Sequence, residues 1–211
     1  MFNDKYRLTD AVLKGKKTMT RRVARYRGKK EIGFYRWPAG KVVGDGQYLF
    51  IEVLDPDEFS YEPEQYIRSQ YHVGEIVAVA QKYKDVPCMC YREAVCSGEG
   101  ILTGWNNKLF AKAKYMPHHI RITSITAQEL QDISEEDALR EGIHEVNYCE
   151  NGSKVAYIFS HGTIEEWKPT AREAFLLLMD KIRKKPKKAY RNLPCEPYNP
   201  IVFVYEFELV D

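Results

Sequence analysis

The run Asn199-Pro200-Ile201-Val202-Phe203-Val204-Tyr205-Glu206-Phe207-Glu208-Leu209 alternates so regularly that it predicts a β-strand. Such a strand leaves backbone donors and acceptors open on both sides, so the chain must supply partner strands. Candidates are present. Gln47 to Leu54 has the bulky-residue density of a strand, and His119 to Thr126 alternates. In that second run Ile120, Ile122 and Ser124 are expected on one face, with Arg121, Thr123 and Ile125 on the other. Gly74-Glu75 punctuates a turn before Ile76 to Ala80, whose continuous small apolar residues predict a strand buried on both faces.

Near the other end, Leu8 to Lys14 reads as a short helix with Gly15 as its stop. It delivers Gly15-Lys16-Lys17-Thr18-Met19-Thr20-Arg21-Arg22, in which β-favouring Thr18, Thr20 and Val23 support an extended strand. Lys17, Met19 and Arg21 then share one face, and Thr18, Thr20 and Arg22 the other. Cations and hydroxyls held on a rigid strand make a site for an anionic or polar ligand. A solvated basic turn is the plainer alternative.

Two further helices are expected. Ser134, followed three residues later by Asp137, is an acidic variant of the capping box, and Gly142 stops that helix after two turns. Glu141 falls at its C-terminal end, where the dipole disfavours a carboxylate unless a cation answers it. Ala171 to Lys184 follows Thr170 as N-cap, with Ala174, Phe175, Leu178 and Ile182 as a core stripe. Asp85 to Asn107 shows no sustained period and is expected to be a long loop or hairpin, placed to act as a lid. Residues 25–46 read as irregular, 55–66 as an acidic excursion and 144–162 as an insert. Four to six strands with a few helices predict an α+β fold with a compact, barrel-like sheet. The expectation is a single domain over residues 1–211, with inserts near 25–70, 84–115 and 144–170.

The net charge is only +2, yet cations cluster at residues 14–30 and 181–191 while acids gather at 55–64 and 129–150. No apolar run is long enough to span a membrane, and the first residues lack the apolar core of a signal peptide. A cytoplasmic protein with reduced cysteines and no membrane partner is therefore expected. Cys88-Met89-Cys90 with Cys96, and His118-His119, match structural zinc spacing poorly, so neither metal nor cofactor is expected.

Several of these segments together resemble a known family. Gly15-Lys16-Lys17-Thr18-Met19-Thr20-Arg21-Arg22 resembles the G-[KR]-K-T-x-T-x-R signature of ASCH-domain proteins, and Tyr71 to Val79 looks like that family's second strand block. Met116-Pro117 running into Arg121-Ile122-Thr123, then Leu130 to Ala138 through Glu141-Gly142-Ile143, resembles its larger phage and bacterial members. Asn199-Pro200 with the strand after it fits the family's end. These blocks cover under half of the chain, but their order is specific.

The resemblance implies a PUA-like β-barrel with a polar cleft beside the lysine-threonine strand. It implies an RNA, nucleoside or nucleotide ligand, and in one branch of the family an amidohydrolase acting on N4-acetylcytidine. Carried across by the motif, the catalytic positions fall on Lys17, Thr20 and Glu141. Thr18, Arg21, Arg22 and Arg121 are the substrate-binding candidates. The chemistry is sound: a threonine hydroxyl needs a neighbouring base, a buried lysine can serve as one, and a carboxylate can relay the proton. Binding without turnover is the other reading, with Tyr26, Tyr35, Trp37 and Trp105 available to stack bases. A phage-derived accessory protein whose cleft has lost its chemistry is a third.

Overall fold

A computed structural model describes residues 2–24, 35–36, 42–43, 48–53, 65–96, 102–148, 155–159, 166–182 and 199–210. Helix α1 (Leu8–Leu13) leads into β1 (Met19–Val23). Strands β2 (Tyr35–Arg36), β3 (Val42–Val43), β4 (Tyr48–Val53), β5 (Gln65–Arg68) and β6 (Ile76–Ala78) follow. Short helices α2 (Arg92–Cys96) and α3 (Leu102–Asn106) precede β7 (His119–Glu129) and α4 (Glu135–Arg140). The chain then forms β8 (Ile143–Asn147), β9 (Val155–Phe159), α5 (Ala171–Ile182) and β10 (Ile201–Leu209). The acidic stretch at 54–64, most of 25–46, and the basic stretch at 183–191 lie outside the described residues, as do Tyr26 and Trp37.

The fold is mixed α+β, and the C-terminal strand lies inside its principal sheet. β10 pairs antiparallel with β1 on one side and with β7 on the other, and β6 extends β7, giving the order β1-β10-β7-β6. Residues of both edge strands, Thr20 and Arg22 from β1 and Val77 and Ala78 from β6, line one cavity. The sheet is therefore curled, with its edges turned toward one another. β10 is buried on both faces: Ile201, Phe203, Tyr205 and Phe207 point into the curl, while Val202 and Val204 point outward onto a helical layer. Each fully buried large apolar side chain contributes roughly 1.5–3 kcal/mol.

The outer layer is α4 and α5. Ala171, Ala174, Phe175 and Leu178 repeat at helical spacing and pack beside Met19, Val202 and Val204. Thr170 Oγ1 accepts from Glu173 N at 3.2 Å, as an N-cap should. Glu135 reaches from α4 to accept from Ala171 N at 2.7 Å, so its carboxylate sits at the N-terminus of α5 as well as in the first turn of its own helix.

Four sequence expectations need correction. Ile76 to Ala80 is not doubly buried: β6 is an edge strand and Ile76 is 56% exposed, so a run of apolar residues did not mark a central position. In β7, Ile125 joins Ile120 and Ile122 inside the curl. The pairing runs Glu206 to Ser124 and then Phe207 to Ile122, skipping Thr123, and that bulge reverses the alternation. Where it is described, at 85–96 and 102–107, the stretch expected to be a loop or hairpin forms short helical turns, under which Tyr83, Val86, Tyr91, Tyr115 and Met116 make a small core of their own. With β2, β3, β5 and the paired strands β8 and β9, the described residues carry ten strands rather than four to six.

Candidate functional site

The site begins at the end of α1. Gly15 takes φ +66°, and the carbonyl of Ala11 accepts from both Lys16 N (2.9 Å) and Lys17 N (3.0 Å). That wrap reverses the chain, leaves Lys14 and Lys16 exposed, and turns Lys17 inward with 2% exposure. Beyond it, β1 divides its side chains between two environments.

One face is dry and charged. Lys17 Nζ lies 2.5 Å from Glu141 Oε2 and donates also to the Glu141 backbone carbonyl at 2.7 Å. Arg21, its side chain fully buried, donates to Glu141 Oε1 at 3.2 Å and to Asp137 Oδ2 at 2.7 Å, and lies over the Phe175 ring. With its amide oxygen turned inward, Gln128 accepts from Arg21 Nε and Nη2. Two cations thus meet two carboxylates, and both Glu141 oxygens are engaged. The position of Glu141 follows from α4: it is the C-cap, and Gly142 at φ +101° turns the chain away immediately after it. A carboxylate against the helix dipole is held there by Lys17, just before β1, and Arg21 on it. Burial pulls the Lys17 ammonium below its ordinary range of 10.5, and the adjacent Glu141 carboxylate works in the opposite direction.

The other face opens into the curl of the sheet. Thr20 and Arg22 line a cavity of about 30 Å³ with Tyr71 and Tyr205 and an apolar floor that includes Phe2, Val77 and Ile122. The space admits one or two waters, at roughly 10–15 Å³ each. Tyr71 and Tyr205 meet edge to face, their centroids 5.3 Å apart. Ser69 donates to the Tyr71 carbonyl at 2.8 Å, which leaves the Tyr205 hydroxyl to donate to Ser69 Oγ at 3.0 Å. Gln70 N completes the clasp by donating to Tyr205 at 3.2 Å. Burial raises the Tyr205 phenol above 10.0, with the Gln70 N–H working in the opposite direction.

Lys17 and Glu141 are therefore in contact, whereas Thr20 lies on the opposite side of the strand. Among the described residues no hydrogen bond joins Thr20 to either. Thr18 departs from the expected grouping: its hydroxyl accepts from Arg140 Nε at 3.3 Å, and Arg140 is itself paired to Glu206 at 3.0 Å. Arg21 is sequestered in the dry face. Arg121 is half-exposed on β7 and pairs with Glu208 at 3.1 Å, away from the cavity lining. Cys90 is half-buried against the Tyr83 core, Cys96 is exposed, and no trio of His, Cys, Asp or Glu capable of holding a metal occurs among the described residues. Trp105 is 39% exposed and packs edge-on to Tyr91.

Sequence reading missed Tyr71, Tyr205, Ser69 and Asp137. Asp137 carried a signal, since an acidic residue one turn before Glu141 can share a cation with it. The two tyrosines come together only through sheet curvature, which local pattern does not encode. No family model, no curated protein and no solved structure matches the chain.

Proposed function

We propose that this protein is an RNA- or nucleotide-binding domain of the ASCH type on a PUA-like barrel, with its ligand seated at the mouth of the cleft beside β1. One observation carries the reading: a threonine, an arginine and two tyrosines converge on a single opening in the curl of the sheet. Hydroxyl and guanidinium groups recognise the polar edges of a base or a phosphate, and the partly exposed Tyr71 ring, backed by the buried Tyr205, provides stacking surface. The opening, at about 30 Å³, is too small for a base, so the ring lies at its mouth and places only a polar edge within.

A second reading, an amidohydrolase acting on N4-acetylcytidine-like nucleosides through Lys17, Thr20 and Glu141, draws support from the contact between Lys17 and Glu141. A buried lysine with a lowered proton affinity, hydrogen-bonded to a carboxylate, is equipped to pass a proton. The placement of Thr20 across the strand from that pair ranks this reading second, because nucleophile and base need hydrogen-bond reach. A cytoplasmic setting fits both readings, and among the described residues no helix is long and apolar enough to cross a membrane.

The test is titration of the protein with a short single-stranded RNA, with deacetylation of N4-acetylcytidine measured alongside. RNA binding that falls in Thr20→Val without turnover establishes the binding reading. Turnover abolished by Thr20→Val establishes the hydrolase.

A further inference from the structure

A second opening lies outside the cleft, between α1 and the start of β8. It encloses about 340 Å³, at the low end of the roughly 300–1,000 Å³ in which proteins hold small ligands. Its cations are Arg7, Lys14 and Lys16, all exposed. Among the described residues none of the three is ion-paired, whereas Lys17, Arg21, Lys108, Arg121, Arg140 and Lys181 all are. Three positive charges, none held in an ion pair among the described residues, line one concavity and outnumber its carboxylates, which favours an anion there.

Two details show how the fold builds it. Arg7 adopts φ +50°, a left-handed conformation that a non-glycine residue rarely holds without compensation. Gly15 makes the turn that sets Lys14 and Lys16 on either side of itself. The opening also carries two carboxylates, Asp10 and Glu145, also exposed. A pure phosphate site would exclude them. A sugar-phosphate uses both signs: oxyanions on the cations, and ribose hydroxyls donating to the carboxylates.

We propose that this groove binds one ribose-phosphate unit of an RNA strand, with Arg7, Lys14 and Lys16 on the phosphate and Asp10 and Glu145 on the sugar hydroxyls. This deepens the RNA-binding reading of the cleft and rests on it for the identity of the polymer. The 2′-hydroxyl is the group that distinguishes RNA from DNA, so the carboxylates give the groove its preference for RNA. The lysines contribute sequence-independent attraction.

The probe is ribose 5-phosphate, which carries sugar and phosphate without a base and so tests the groove whatever the cleft does. In an NMR titration of the whole chain it is expected to shift the amides of Lys14, Gly15, Lys16 and Glu145. Those shifts vanish in Lys14→Gln/Lys16→Gln, and 2-deoxyribose 5-phosphate binds more weakly than the ribose form. Inorganic phosphate, the free-anion arm, moves the lysine amides without Glu145. In the RNA arm the double variant loses at least about 10-fold in affinity, the worth of one charge-assisted contact. Its salt slope falls by about 1.4, two contacts at roughly 0.7 each on a single strand. Glu145→Gln narrows the ratio of RNA to DNA affinity, because it removes the acceptor for the 2′-hydroxyl; an unchanged ratio counts against the sugar contact. Ribose 5-phosphate shifts that are absent, or that survive the double lysine change, overturn the groove. RNA binding that depends on the lysines but not on Thr20 upholds the groove and counts against the cleft alone.

Discussion

The two faces of β1 carry the same kinds of residue and put them to opposite uses. On the outward side, Arg21 and Lys17, the latter just before the strand, are consumed by Glu141 and Asp137 under the α4–α5 layer. On the inward face, Thr20 and Arg22 stand at a small water-sized opening beside two tyrosines. What separates them is cover. Helices seal one side and bury its charges in ion pairs, whereas sheet curvature leaves a small opening on the other. Charge in a motif therefore does not by itself locate a ligand; the neighbouring layer decides whether a side chain is sealed in or lines an opening.

The sharpest way to break this comparison is Glu141→Ala. It leaves Lys17 with only a backbone carbonyl and Arg21 with one of its two carboxylates in the dry layer, and should cost about 3–5 kcal/mol in urea unfolding. A loss no larger than that of an exposed substitution would mean that the outward face is wetter than described. Next in size is Tyr205→Phe on the inward face. It removes the bonds to Ser69 and Gln70 and should cost about 1 kcal/mol by the same measurement.

The pH dependence sharpens the contrast further. Lys17 binds its proton less tightly folded than unfolded, where its pKa is the ordinary 10.5. Between the lowered folded value and 10.5 the unfolded chain holds more protons, so stability should rise with pH across that window. Lys17→Met should flatten the rise, which thermal melts from neutral to alkaline pH would read. Smallest is Arg121→Ala: both partners of its pair are about half-exposed, and the change should stay within about 0.5 kcal/mol.

Much of the frame was legible because it rests on local rules. The alternation of β10, the glycine after α1, the serine cap of α4 and the apolar stripe of α5 each appear where periodicity and capping place them. Ile76 misled because an edge strand and a central strand share the same composition when loops rather than sheet neighbours shape their surroundings. Thr123 misled because a single bulged residue inverts every later side chain, and nothing in its own type announces it. The helical turns between Tyr83 and Tyr115 carry too few residues each to display a period. At the site, Lys17 and Glu141 could be paired on paper through the helix-dipole anomaly. The meeting of Tyr71 with Tyr205 depends on how far the sheet bends, which is a property of the whole sheet.

The division of labour across β1 is tested most directly by Thr20→Val, with RNA affinity and urea midpoint taken on the same preparation. The swap keeps the shape of the side chain and removes only its hydroxyl. The account predicts a midpoint shift worth less than about 1 kcal/mol together with a loss of RNA binding of about 10-fold or more. Undiminished binding, or a collapse of stability like that of Glu141→Ala, would contradict it.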